Sequence, residues 1–322
     1  VARLFEVAEI YRDRLKLDVM VINTYHAILK LDSENRRAGD ELAAKFRALS
    51  RWNDLIALLT KRAEAPNLGD AERVVLLREV ADLWTERFGN FANAIKPLEK
   101  LVELAPEDGD AVARLEEIYT KRRQWRQLVD LLGKQARVLD GDARRAKHVE
   151  MARLAAERLG DMRLAIEIYN RILAETAPAD AGDTLAALAG LYEREKRHLA
   201  YAEIAHRQVA ALREKQPVPV KEAIALLEKL GTVYAERLAA PQQAAAAWQQ
   251  ILELEPNHGK ALRTLRELYA LAGDFAGLEA LYAKLGQGEE LVEALLAIAD
   301  RMDGKDKRLP LVQRAAELAQ ER

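Results

Sequence analysis

The sequence predicts an all-α chain of stacked helical hairpins, about nine of them. Three observations predict it: apolar residues recur at helical spacing, they fall into two interleaved registers that repeat along the chain, and glycine, proline and Asx residues punctuate the intervals.

Tyr11, Trp84, Ala155 and Tyr234 anchor the first register, 73, 71 and 79 residues apart. Three places before each anchor stands a small residue: Ala8, Ala81, Ala152 and Gly231. Ten places after come Val21, Ala94, Ala165 and Ala244, and fourteen after come Tyr25, Leu98, Tyr169 and Trp248. The second register is anchored on Phe46, Tyr119, Tyr192 and Tyr269, with Leu42, Leu115, Leu188 and Leu265 four places before. Six places after stand Trp52, Trp125, His198 and Phe275, read as core, and nine after stand Leu55, Leu128, Tyr201 and Leu278. First-register anchors precede second-register anchors, themselves 73, 73 and 77 residues apart, by 35, 35, 37 and 35 residues, so the unit is a hairpin of two helices. Each helix presents one apolar face at the 3.6-residue period.

The punctuation fits. Gly89-Asn90 and Gly160-Asp161 predict a left-handed cap on one helix followed by an N-cap on the next. Pro241 falls at a first helical turn, where it costs no hydrogen bond. Longer connections are expected at 65–70 and 216–220, and the second is expected to account for the stretched 79 and 77 intervals. Pro97 lies inside a helix and is expected to remove a backbone bond and kink it. A ninth hairpin begins near Glu289, with poor registration past Met302. One hairpin cannot bury its apolar face alone, so residues 1–322 are expected to form a single solenoid. The chain lacks an initiator Met and opens in mid-helix with the apolar stripe Leu4, Val7, Ile10, which predicts a fragment of a longer chain.

Composition narrows function. Fifty basic residues face fifty-two acidic ones, so net charge is -2, and the signs are interleaved. A charge-driven nucleic-acid binder shows a basic excess. Cysteine is absent, which removes disulfides, thiolate metal sites and cysteine nucleophiles. That absence fits either redox compartment, with a slight lean to the cytoplasm. No run reaches the roughly 18 apolar residues of a membrane helix.

Candidate chemistry is sparse. His198 and His206 flank Glu203, but His198 occupies a slot held elsewhere by aromatics, and packing explains it better than a metal. Glu116-Glu117 and Glu289-Glu290 are neighbours that any charged helix face produces. No nucleophile elbow or phosphate loop occurs, and Gly286-Gln287-Gly288 lacks the strand and helix that a dinucleotide site needs. The chain is therefore read as non-enzymatic, with no cofactor or metal. The basic run Lys121, Arg122, Arg123, Arg126 surrounds Trp125 and invites a stacking site for nucleic acid. The competing reading places Trp125 in the core and the cations at a helix C-terminus, where they complement the dipole.

These residues resemble the tetratricopeptide repeat family, whose pattern has a small residue three before a Tyr, a small residue at the start of the second helix, an aromatic four later and a closing Pro. Gly231, Tyr234, Ala244, Trp248, Leu252, Leu254 and Pro256 look like a copy with one extra turn residue, and Trp84, Ala94, Leu98, Leu104 and Pro106 are similar. Ala155, Ala165, Tyr169 and Leu173 also match. The second register departs, since Leu55, Leu128 and Leu278 stand where a small residue is expected, which predicts wider helix pairs there. Such alternation resembles long repeat arrays in large bacterial proteins.

The resemblance implies a right-handed α–α superhelix that binds a peptide or protein on the face lined by first helices, as a scaffold within a larger assembly. Members that grip a C-terminal carboxylate use Lys and Asn at six and two places before the anchor; no copy here has that pair, so chaperone-tail binding is not expected. The candidate groove residues are Glu9, Arg78, Asp82, Arg114, Glu117, Arg153, Arg263 and Glu267, of mixed sign and suited to a partner of mixed charge. The competing reading has them solvated or paired within the groove. The alternative function is single-stranded RNA binding; pentatricopeptide proteins share the period, but their regular polar pair in every repeat is missing here.

Overall fold

The computed structural model describes residues 1–177, 180–286, 288–301 and 304–320, and among them are eighteen α-helices arranged as nine hairpins. The helices are α1 (Ala2–Glu9), α2 (Asp18–Leu31), α3 (Arg36–Ala48), α4 (Trp52–Ala63), α5 (Asp70–Asp82), α6 (Phe91–Leu104), α7 (Gly109–Lys121), α8 (Trp125–Val138), α9 (Gly141–Leu154) and α10 (Met162–Glu175). They continue with α11 (Gly182–Arg194), α12 (His198–Glu214), α13 (Val220–Glu236), α14 (Pro241–Leu254), α15 (Gly259–Ala272), α16 (Phe275–Leu285), α17 (Gly288–Arg301) and α18 (Lys305–Gln320). Met302, past which the ninth hairpin loses register, and Gln287 of the Gly-Gln-Gly run lie outside the described residues.

Two compact units divide the chain, Val1–Ile168 and Tyr169–Arg322. In the first, each helix from α1 to α9 packs on the next in chain order, and one apolar cluster runs from Ala8 to Leu132 with Met151 and Leu154 against it. In the second, α11 to α18 follow the same order. The second-register anchors are buried in both units: Phe46, Tyr119, Tyr192 and Tyr269. So are the leucines four places earlier and the residues nine places later. Burying each such side chain stabilises by about 1.5–3 kcal/mol. This is the packing of a tetratricopeptide-like helical repeat.

The two kinds of hairpin differ at the turn. In the second register the anchor carbonyl accepts the N–H five residues on: Phe46 from Arg51 and Tyr119 from Gln124, at 2.9 and 2.8 Å, with Tyr192 and Tyr269 alike. The residue four past the anchor is left-handed: Ser50, Arg123, Lys196 and Gly273. In the first register one extra residue is present, and the acceptor reaches six residues on: Tyr11 from Leu17, Trp84 from Asn90, Ala155 from Asp161 and Tyr234 from Ala240, at 2.8–3.0 Å. The left-handed residue moves to five past the anchor: Lys16, Gly89, Gly160 and Ala239. In three copies the last turn widens to a π-helix, at 10–15, 83–87 and 155–159. The wider turn leaves Tyr11, Trp84 and Tyr234 half-buried, while Ala155 is buried.

Small residues three before the first anchors serve the second helix. A Cβ on Gly231 would lie 2.4 Å from Trp248 Nε1, so glycine lets the indole rest on the α13 backbone. The helices of α5–α6 and α13–α14 approach closely, and those of α3–α4, α7–α8 and α15–α16 less so, as the leucines there predict. The pair α11–α12 approaches closely too, with Ala202 and Ala205 buried on α12.

Three expectations need correction. Trp52, Trp125, His198 and Phe275 are half-buried first residues of their helices, not core, because that position lies at the open end of the turn. The stretched intervals come only in part from the connection between α12 and α13, five residues against six after α4 and two after α8; α12 itself is longer, with 17 residues against 12 in α4 and 14 in α8. Pro97 is buried within a continuous α6; the carbonyl it leaves without a helical donor belongs to Asn93, an exposed residue of the first turn. The caps stand as read: Asn90 and Asp161 accept from Asn93 and Leu164 N–H at 3.1 and 2.9 Å.

Candidate functional site

Odd-numbered helices carry the candidate groove residues, and half of these bond to a neighbouring odd helix or its N-cap. Arg37 donates to Glu9 at 3.1 Å, joining α1 to α3. Arg78 donates to Asp108, the N-cap of α7 that also accepts from Ala111 N–H at 3.2 Å. Arg114 donates to Asp82 at 2.6 Å and to the Thr85 hydroxyl at 2.8 Å, again joining α7 to α5. The same arrangement recurs where sequence reasoning named no residue: Arg47 with Glu79, Lys147 with Glu116, Lys229 with Glu193 and Lys260 with Glu228. These partners stand about one hairpin apart, so opposite charges 28–36 residues apart were the signal available in the sequence.

The remaining candidates do not join neighbours. Glu117 accepts from Lys121 and Arg153 pairs with Glu157 at 3.4 Å, each one turn away on its own helix. Arg263 and Glu267 lie exposed one turn apart on α15. Among the candidates there are two layers, half-buried charges that tie hairpin to hairpin and exposed charges left for solvent or a partner, while exposed Arg37, Arg47, Lys229 and Lys260 also serve as ties.

Polar handles on the buried anchors add ties from the even helices. The Tyr119 hydroxyl donates to Glu99 at 2.6 Å, and burial with that carboxylate holds its pKa well above the ordinary value. Asn170 donates to the Tyr192 hydroxyl at 3.4 Å, and Gln249 to that of Tyr269. Tyr201 is pushed up to about 12 by burial, its hydroxyl having no hydrogen-bond partner among the described residues. His206 Nε2 lies 3.0 Å from the Tyr234 hydroxyl, so that histidine is engaged in packing one hairpin to the next. Among the described residues no three His, Cys, Asp or Glu side chains converge as a metal site requires, and no helix is long and apolar enough to cross a membrane.

No family model matches the chain, and no curated protein matches it. Solved structures similar to it include MamA, with 17% identity over 59% of this chain and 96% of that chain at a TM-score of 0.33. The C-terminal part of a TPR repeat-containing protein from Cytophaga hutchinsonii is similar at 12% identity, over 81% of this chain and 99% of that one, TM-score 0.35. YrrB, described as a TPR protein with an unusual peptide-binding site, is similar at 14% identity over 59% and 90%, TM-score 0.33.

Proposed function

We propose that the chain is a non-catalytic scaffold that holds a protein or peptide on the face lined by its odd-numbered helices. The observation that carries this reading is the set of ion pairs above, which tie α1 to α3, α3 to α5, α5 to α7 and α7 to α9, and likewise α11 to α13 and α13 to α15. A face fixed in this way before binding loses little conformational entropy when a partner arrives. On it, Glu117, Arg153, Arg263 and Glu267 are the exposed members, and Glu9, Arg78, Asp82 and Arg114 hold the geometry. Exposed charges of both signs select a partner of complementary pattern and govern its rate of encounter.

Site-specific photo-crosslinking tests this. A benzophenone amino acid placed at Glu117 or Glu267 is expected to form adducts with a discrete protein in the native host. The same group at exposed even-helix positions, such as Glu103 or Gln243, is expected to form few. Adducts spread evenly over both faces, or confined to the even helices, would remove the odd-helix face from the account.

A further inference from the structure

At the turn end of the first unit, successive hairpins are linked by cations lying over aromatic rings. Arg87 lies 5.1 Å from the centroid of Trp52, Lys121 lies 5.7 Å from Phe91, and Arg158 lies 5.4 Å from Trp125. In each pair the cation comes from the hairpin after the ring. Phe88 and Phe91 remain exposed at 39% and 47%, with the Trp84 ring packed 5.2 Å from Phe88.

Within this edge, residues 120–129 contain Lys121, Arg122, Arg123 and Arg126 and no carboxylate. Lys121 bonds to Glu117, but Arg122, Arg123 and Arg126 are exposed and none has a carboxylate partner among the described residues. Two of them occupy positions that stability does not select. Arg126 sits in the first turn of α8, where the helix dipole disfavours a cation. Arg123 has φ 56°, a conformation that favours glycine. The matching turn of the second unit is different in kind, because Glu193 and Glu195 alternate there with Arg194 and Lys196.

We propose that this turn edge docks an acidic protein segment carrying a large apolar side chain. Carboxylates meet the three unpaired guanidinium groups, whose forks suit bidentate contact, and the apolar group rests on Phe88 and Phe91. Nucleic acid fits less well. Trp52 and Trp125 already carry guanidinium groups on their faces, which leaves those rings poor platforms for bases. The inference rests on the scaffold reading and adds the chemistry of a partner and a second place to hold it.

Fluorescence anisotropy on the full chain tests it, with a fluorescein-labelled peptide of glutamates interrupted by leucines and, separately, a labelled oligouridylate. The peptide is expected to bind, more weakly as salt rises, and the combined substitutions Arg122→Glu, Arg123→Glu and Arg126→Glu are expected to weaken it about tenfold or more. Arg194→Glu with Lys196→Glu is expected to change it by less than about twofold, since those charges are exposed and lie at another turn. Should circular dichroism show the triple reversal unfolded, Arg122→Gln, Arg123→Gly and Arg126→Gln decide, with loss of binding again expected. No binding of the peptide, or equal loss from both sets of substitutions, overturns the proposal. Tighter binding of oligouridylate, lost with the same three arginines, replaces it with a nucleic-acid edge. Adducts on the odd-helix face together with no peptide binding would remove this edge alone and leave the scaffold standing.

Discussion

Hairpins of the second register close with the anchor buried and the turn tight; hairpins of the first close one residue later, with Tyr11, Trp84 and Tyr234 half out and the small Ala155 buried. Tyr119 is 3% exposed and its carbonyl is met five residues on, whereas Trp84 is half-buried and its carbonyl is met six residues on. The single added residue does not break the helix pair. The last turn widens into a π-helix in three of the four copies, the left-handed position slides by one in all four, and the second helix starts in register. In compensation the first-register pairs use small residues to bring backbones together, as Gly231 does beneath Trp248. One chain therefore reaches the same stacking by two routes: in one the anchor itself is the plug, and in the other the plug comes from the second helix and rests on a small residue of the first, as Trp248 does on Gly231.

Removal of a plug is expected to have the largest effect. Tyr119→Ala should cost about 3–5 kcal/mol in denaturant unfolding, and Trp248→Ala a similar amount; a loss below about 1 kcal/mol at either would show that the ring is not a plug. Crowding the close approach comes next. Gly231→Ala sets a methyl against the indole and should cost about 1–3 kcal/mol, whereas a neutral result would mean that the two helices part freely.

The turn positions sharpen the comparison with opposite signs. Ala239→Gly and Lys196→Gly should each stabilise by about 1 kcal/mol, because both residues hold a positive φ, and Gly160→Ala should destabilise by a similar amount. Ties between hairpins are worth less: Arg114→Ala should cost up to about 1 kcal/mol, less at high salt, since the pair with Asp82 is partly exposed.

The smallest effect is the pH dependence. Burial lowers the pKa of His206 below its ordinary 6.5. The unfolded chain then takes up the proton first, so this contribution to stability is present above about pH 6.5 and lost as pH falls through the folded value. His206→Gln should flatten the stability profile on that acid side, and an unchanged or steeper slope would contradict the assignment.

Much of the fold was legible because packing imposes its period on residue type. Leu42, Leu115, Leu188 and Leu265 recur because a γ-branched side chain fills the same gap in each hairpin. Gly89 and Gly160 announced their turns, but Lys16, Ser50, Arg123, Lys196 and Ala239 did not, since nothing in those residue types favours a positive φ. Only register marks them, as four or five places past an anchor. Trp125 misled for a related reason: it recurs with the period of the core, yet its position is the rim, where an aromatic takes a cation from the next hairpin. The groove charges could be chosen from the repeat. Which of them join hairpins and which face solvent depends on a partner about 30 residues away, and no local pattern carries that.

Residues four places before the second-register anchors are sealed between helices, while those two places before face water. With no native cysteine to interfere, single cysteines can be installed at Leu42, Leu115, Leu188 and Leu265, and at Ala44, Glu117, Gly190 and Glu267, and their reaction with a thiol reagent timed in the folded protein. The account predicts that the first four react only as fast as the chain opens and the second four at nearly the rate of a free thiol. Comparable rates in the two sets would contradict it.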